Sequence, residues 1–222
     1  MRLTAQVECV DGQPVRLFGA KQDITAEKQQ WDQWRQRAER DHLTGLGNRG
    51  LFHDRFHDAA GSGSGHPPVC ALVLIDLDRF KQINDRFGHS AGDACLREFA
   101  IRLQAAFRDA LLVARIGGDE FAVLLGTPYS HADLGSRLNR IARVINRPVQ
   151  FQGRAIPIGA SMGAAIVTRP QAHDPARLFA QADAVLYAVK AAGPASGRVF
   201  IDDMAMHAAS RSGLSEPSRR YG

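Results

Sequence analysis

The sequence predicts an α/β domain, and three observations carry that prediction. Apolar runs of strand length, such as Val69 to Leu77 and Phe121 to Leu125, alternate with stretches whose apolar residues recur at helical spacing. Gly- and Pro-rich breaks punctuate the two kinds of segment. Between two strand-like runs stand paired glycines and paired carboxylates, Gly117-Gly118-Asp119-Glu120. Two glycines allow a tight hairpin with φ above zero. They also leave room for a charged ligand beside the main chain, so a metal ion and a phosphate fit the turn.

In chain order, residues 1–25 read as two short strands, Leu3 to Val10 and Val15 to Lys21, around the turn Asp11-Gly12-Gln13-Pro14. The piece is too small to bury its own core. With Asp23-Ile24-Thr25 it resembles the C-terminal end of a sensory PAS domain. Residues 26–41 read as a linker helix with Thr25 as N-cap. Trp31, Trp34 and Ala38 fall at coiled-coil spacing and suit pairing with a second copy. Asp41 to Arg49 is a glycine-broken turn, Leu51 to Ala60 a helix, and 61–68 a flexible Gly-Ser loop ending in Pro67-Pro68. Val69 to Leu77 has the continuous apolar character of a central strand and ends in Asp76-Leu77-Asp78. Buried acids need a partner, and a divalent cation supplies one.

Phe80 to Phe87 reads as a short helix, Gly88 to Asp93 as a turn, and Ala94 to Phe107 as an amphipathic helix. After the hairpin, Ala132 to Val144 is helical. Pro148 to Gly153 and Ala155 to Val167 read as strands, Pro175 to Ala191 as a helix and Val199 to Ile201 as an edge strand. Residues 207–222 have a disordered composition.

The bulk numbers narrow the function classes. No apolar run reaches membrane-spanning length and the N-terminus lacks a signal-peptide pattern. Cys9, Cys70 and Cys95 share no metal or disulfide spacing, which fits a reducing cytoplasm. The net charge of +5 comes from arginine, since lysine occurs only at Lys21, Lys28, Lys81 and Lys190. No basic tract or aromatic platform marks a nucleic-acid binder. An anionic small ligand suits the charge.

Residues 41–201 resemble the GGDEF domain of diguanylate cyclases. Five blocks carry the resemblance in register. They are Asp41-x-Leu43-Thr44-Gly45-Leu46-x-Asn48-Arg49, Asp76-x-Asp78-x-Phe80-Lys81-x-Ile83-Asn84-Asp85 and Gly88-His89-x-x-Gly92-Asp93. The others are Ala114-Arg115-x-Gly117-Gly118-Asp119-Glu120-Phe121 and Ala182-Asp183-x-x-Leu186-Tyr187-x-x-Lys190. The domain is accordingly placed at 42–203. The resemblance implies a palm-like nucleotidyl cyclase domain, with a mostly antiparallel sheet surrounded by helices. It implies condensation of two GTP into cyclic di-GMP with release of two pyrophosphates, by a homodimer in which each domain holds one nucleotide. The alternative is a catalytically inactive domain that binds GTP or cyclic di-GMP and signals by contact.

The resemblance also assigns roles. Asp76, the Leu77 carbonyl, Asp119 and Glu120 hold Mg²⁺ or Mn²⁺, and Asp119 and Glu120 are the catalytic acids of the hairpin. Asn84 and Asp93 read guanine, with His89 as a further contact. Lys81 and Lys190 meet the triphosphate, and Phe80, Gly117 and Gly118 line the substrate site. Asp78 is expected to cap the following helix, and Arg115 to brace the hairpin acids. Two departures stand out. Gly197-Arg198 comes later than the family's usual Gly-Arg-Asn, and Leu111 replaces the aspartate of the Arg-x-x-Asp product site that Arg108 begins.

Overall fold

The computed structural model describes residues 2–10, 13–22, 25, 38–58, 67–167, 174–191 and 199–203. The Trp31 and Trp34 stripe, the Gly-Ser loop, Arg198 and the C-terminal tail lie outside the described residues. The chain divides into two compact units, Met1–Arg40 and Asp41–Gly222. In the first, β1 (Arg2–Val10) and β2 (Gln13–Gln22) form an antiparallel hairpin whose register shifts between Glu8 and Cys9.

The second unit is built around β3 (Ala71–Leu77), in which every residue is buried. Its uninterrupted apolar run is explained by packing on both faces. β4 (Leu112–Arg115) and β5 (Glu120–Leu125) lie to one side, β8 (Ala160–Ile166) and β9 (Val199–Asp203) to the other. The sheet order is β4-β5-β3-β8-β9, antiparallel except for the edge pair β8 and β9. The mostly antiparallel α/β architecture that the sequence implies is therefore present.

Each face has its own core. One face carries Val73, Ile75, Phe121 and Val123 against α3 (His89–Ala106) and α4 (His131–Ile145), through Phe99, Leu103, Leu134 and Leu138. The other carries Leu72, Leu74, Ala122 and Leu124 against α1 (Arg49–Asp58) and α5 (Pro175–Ala191), through Phe52, Phe56, Leu178 and Ala182. The alternation along β3 puts Asp76 on the α5 side, with Leu72 and Leu74.

The structure differs from the expected elements at three places. The stretch Gly88 to Asp93 is not a turn. Gly88, at φ 84, reverses the chain alone after α2 (Phe80–Phe87), and its carbonyl accepts from the Ala91 and Gly92 amides at 3.1 and 3.2 Å. The next helix therefore starts at once, at His89. The expected strand over Pro148 to Gly153 is present as β6 (Val149–Phe151), but the one over Ala155 to Val167 is split: its start, β7 (Arg154–Ile156), pairs with β6 in a small hairpin separate from the main sheet, and β8 begins only at Ala160. Finally, Gly117 and Gly118 do not use positive φ. Among the described residues only Gly45, Gly88 and Gly153 are glycines that do.

Candidate active site

Gly117 leaves space that the Glu120 side chain occupies. A Cβ there would stand 2.4 Å from the Glu120 Oε2, so the Glu120 carboxylate folds back over the missing side chain. Register sets the acids beside the central strand. Asp76 pairs with Glu120 across β3 and β5, and the Leu77 amide donates to the Asp119 carbonyl at 3.1 Å. Paired residues share a face of the sheet, so Asp76 and Glu120 project together.

The opposite neighbour of β3 brings the cation. Gly163 on β8 faces α5 so closely that a Cβ would stand 2.4 Å from the Leu186 amide nitrogen and 2.6 Å from the Ala182 carbonyl oxygen. Only glycine lets this helix lie so close to the sheet. One turn beyond Leu186, Lys190 reaches Asp76, and its Nζ lies 2.7 Å from Oδ2. Burial pushes the Asp76 carboxyl above its ordinary value; Lys190 opposes that rise, and the charges of Asp119 and Glu120 add to it.

Asp76, Asp119 and Lys190 edge a cleft of about 370 Å³ that also takes in Leu77, Asp78, Arg79, Phe80, Lys81 and Ser161. A second cleft of about 410 Å³ beside Glu120 is floored by Phe52, Phe56 and Phe179 and contains neither Asp76 nor Lys190. The first is the one that brings Asp76 and Asp119 together with Lys81 and Lys190. At its rim Arg79 takes a left-handed conformation, φ 55. Such a backbone costs a non-glycine residue about 1 kcal/mol or more. It turns the chain from β3 into the helix that carries Lys81 and Asn84.

Asp78 does not cap that helix. No side chain caps it, and the Ser161 hydroxyl donates to Asp78 Oδ1 at 2.7 Å instead. Ser161 lies opposite Asp76 in the β3–β8 register. Its place so near the site has no signal in the local sequence beyond one polar residue in an apolar strand. Arg115 braces the hairpin through its backbone: Nε and a terminal nitrogen donate to the Gly118 carbonyl at 3.1 and 2.7 Å.

Asn84 and Asp93 open at the junction of α2 and α3. The Asn84 Oδ1 lies so near Gly92 that a Cβ there would sit 1.9 Å away, which places Asp93, the next residue, at the same junction. The Asp93 carboxylate is 3.8 Å from Arg97. His89 is the exposed first residue of α3, and the Phe80 ring closes on Gly92. Arg108 is exposed, Leu111 is 38% exposed, and Asp109 between them is held by Arg137.

The donor set toward a cation is all oxygen: three carboxylates and a main-chain carbonyl, as hard divalent ions prefer. Among the described residues, no three His, Cys, Asp or Glu side chains are set closely enough to hold a metal as they stand. The expected cage is thus not preassembled, because Lys190 neutralises Asp76 and Glu120 lies over Gly117. The residues still fit the ion, since a buried carboxylate beside two further acids calls for more positive charge than one half-exposed ammonium provides.

A mostly antiparallel sheet flanked by helices, with acids and lysines at the end of its central strand, defines the class: a palm-like α/β domain. Residues 38–196 match the family model described as "Diguanylate cyclase, GGDEF domain", and the chain belongs to that family. It is 39% identical over 163 residues to diguanylate cyclase TpbB of Pseudomonas aeruginosa, covering 73% of this chain and 37% of that protein. It is 34% identical over 192 residues to the probable diguanylate cyclase DgcE of Escherichia coli, covering 86% of this chain and 17% of that protein. The chain thus spans well under half the length of these relatives. Among solved structures, the isolated GGDEF domain of TpbB superposes with a TM-score of 0.64 at 35% identity, covering 78% of this chain and 99% of that one. The coiled coil and GGDEF domain of DgcB from Caulobacter crescentus, in complex with cyclic di-GMP, gives 0.68 at 28% identity, covering 81% and 93%.

Proposed function

We propose that the chain is an active diguanylate cyclase that joins two GTP molecules into cyclic di-GMP and releases two pyrophosphates. The observation that carries this reading is the register that sets Glu120 opposite Asp76 and ties Asp119 to Leu77. A buried Asp76 beside the two hairpin acids supports metal-assisted chemistry over signalling by contact alone, because an acid left there costs desolvation.

Asp76, Asp119, Glu120 and the Leu77 carbonyl would hold Mg²⁺ or Mn²⁺. Such an ion offsets triphosphate charge and favours ionisation of the attacking hydroxyl. Lys81 and Lys190 act as point charges on the β- and γ-phosphates. When Lys190 turns to phosphate, it frees the Asp76 carboxylate. Asn84 offers a donor and an acceptor to guanine, and Asp93 accepts from its N1 and N2 hydrogens. Adenine presents the opposite pattern, so GTP is the substrate. The 3′-hydroxyl oxygen of one nucleotide bonds to the α-phosphorus of the other. Its proton passes to the Asp119 carboxylate, and the bond from that phosphorus to pyrophosphate breaks. The same step in the opposite sense closes the ring.

One domain holds one of the two nucleotides, so two chains must meet. The β1–β2 hairpin, as the end of a PAS-like sensor, would belong to the regulatory input of the chain. The test is specific activity against protein concentration with GTP and Mg²⁺. It rises over dilution-to-micromolar concentrations if paired domains make the product. Constant specific activity across that range rejects the paired mechanism.

A further inference from the structure

Helix α1 carries two histidines that the reaction does not use. His53 and His57 stand at i and i+4, with ring centroids 4.3 Å apart and planes inclined by 39°. Residues at that spacing are neighbours on one face of a helix. Both are exposed, and the His53 side chain is 70% accessible, so the rings are free to turn one nitrogen each toward a shared ligand. Two imidazoles at i and i+4 on a helix make a chelate for a metal ion. Imidazole suits Zn²⁺, Ni²⁺ and Cu²⁺, whereas the all-oxygen set at the end of β3 suits harder ions.

The surroundings support the metal-binding form. Asp54 Oδ1 lies 3.7 Å from His53 Nδ1. A carboxylate on that side keeps the ring proton on Nδ1 and leaves Nε2 as the donor to a metal. The helix face beneath the pair is fixed by aromatic packing. Phe52 and Phe56 stack at 5.3 Å, and Phe179 of α5 closes on them at 6.4 and 6.5 Å. These rings floor the cleft of about 410 Å³ that both histidines line. Arg49 is the lasting cation in its lining and Glu120 the one carboxylate, so their charges offset each other. Glu120 borders this cleft and not the one around Asp76, Lys81 and Lys190.

We propose that His53 and His57 bind one imidazole-preferring divalent ion, and that the bound ion draws the Glu120 carboxylate to itself and withholds it from the catalytic metal. The two nitrogens come from α1; water and Glu120 fill the remaining positions of a four-coordinate ion. Glu120 must swing to join them, in keeping with the absence, among the described residues, of three metal-binding side chains already gathered. A site that the protein half completes binds reversibly, as a regulatory ion requires. The effect on turnover rests on the cyclase reading; the binding does not.

The test is calorimetric titration of Zn²⁺ into the untagged full chain with Mg²⁺ in excess, so that Mg²⁺ competes for the oxygen donors. Wild type is compared with His53→Gln, His57→Gln and the variant carrying both. Glutamine keeps length and polarity on an exposed helix face and removes the imidazole, and circular dichroism checks that each variant folds. Wild type should bind one Zn²⁺ per chain, and each single variant should bind it at least about tenfold more weakly, since losing a ligand costs no less than losing its supporting partner. Without Zn²⁺ the variants should turn GTP over within about twofold of wild type. Zn²⁺ at a level that saturates wild type should slow wild type about fivefold or more beyond its effect on the variant carrying both substitutions. Zn²⁺ binding that is absent from wild type, or equally strong in the variants, overturns the site. Equal inhibition of wild type and variant overturns the hold on Glu120. If the wild-type chain makes no cyclic di-GMP without Zn²⁺, the cyclase reading fails, and the titration still decides the site.

Discussion

Replacing Gly163 by alanine tests how the site is assembled, because this glycine touches no nucleotide group and still governs Lys190. The added Cβ would meet the Leu186 nitrogen at 2.4 Å and the Ala182 oxygen at 2.6 Å, both backbone atoms of α5. Carbon needs about 3.5 Å from such neighbours, so the helix must retreat by roughly 1 Å. Overpacking of this kind costs about 1–3 kcal/mol. In a domain of this size, that lowers the melting temperature by roughly 5 °C. Lys190 rides on the same helix and withdraws from Asp76. A misplacement near 1 Å costs up to about 100-fold in rate. Thermal unfolding followed by circular dichroism gives the first number, and initial rates with GTP the second. A variant that melts within about 1 °C of wild type and turns over within about twofold would refute the claim that close approach of α5 sets the site.

The other predictions concern recognition, feedback and acid stability. Asn84→Ala should weaken GTP binding by about 1–3 kcal/mol while leaving ATP binding unchanged, as competition titrations would show; an unchanged GTP-to-ATP ratio contradicts the guanine assignment. Wild-type protein should bind cyclic di-GMP weakly at Arg108, because Leu111 accepts no hydrogen bond and Asp109 is taken by Arg137. Leu111→Asp should tighten that binding by roughly five- to a hundredfold in calorimetry, and tight wild-type binding lost in Arg108→Ala would refute this. For Asp41, burial opposes ionisation, but the Thr44 and Arg115 contacts outweigh it and hold the carboxyl below 3.8. The folded state then binds fewer protons, so this stabilisation is present above the ordinary value and is lost as pH falls through the lowered one. The stability gap between wild type and Asp41→Asn should therefore narrow from about pH 5 to about pH 3 in denaturant titrations, and a gap that widens on acidification contradicts the assignment.

What could be read from the sequence was local. The apolar run of β3, the alternation of strands and helices and the hairpin acids all announce themselves within a few residues. The helix over Pro175–Ala191 is bounded as its periodicity predicts. What escaped was set by distant partners. Nothing near Asp78 shows that its carboxylate answers to Ser161, 83 residues on. Gly163 reads as a weak point in a strand until α5 is seen lying on it. Gly117 and Gly118 invite a positive-φ turn, yet neither uses one, and the Glu120 carboxylate folds over the first of them. The Gly88 to Asp93 stretch carries two glycines, and only one of them bends the chain. The hold of Lys190 on Asp76 depends on helix-to-sheet distance, which no periodicity records.

The central claim is that the acids at the end of β3 and on the hairpin make this chain a cyclase. The most direct measurement is to incubate wild type and Asp119→Ala with GTP and Mg²⁺, and to quantify cyclic di-GMP and pyrophosphate by chromatography. The account predicts two pyrophosphates per cyclic di-GMP from wild type. It predicts no product from Asp119→Ala, with an unchanged circular dichroism spectrum. Product formation by Asp119→Ala at a rate near wild type, or wild-type protein that binds GTP and makes no cyclic di-GMP, would contradict it.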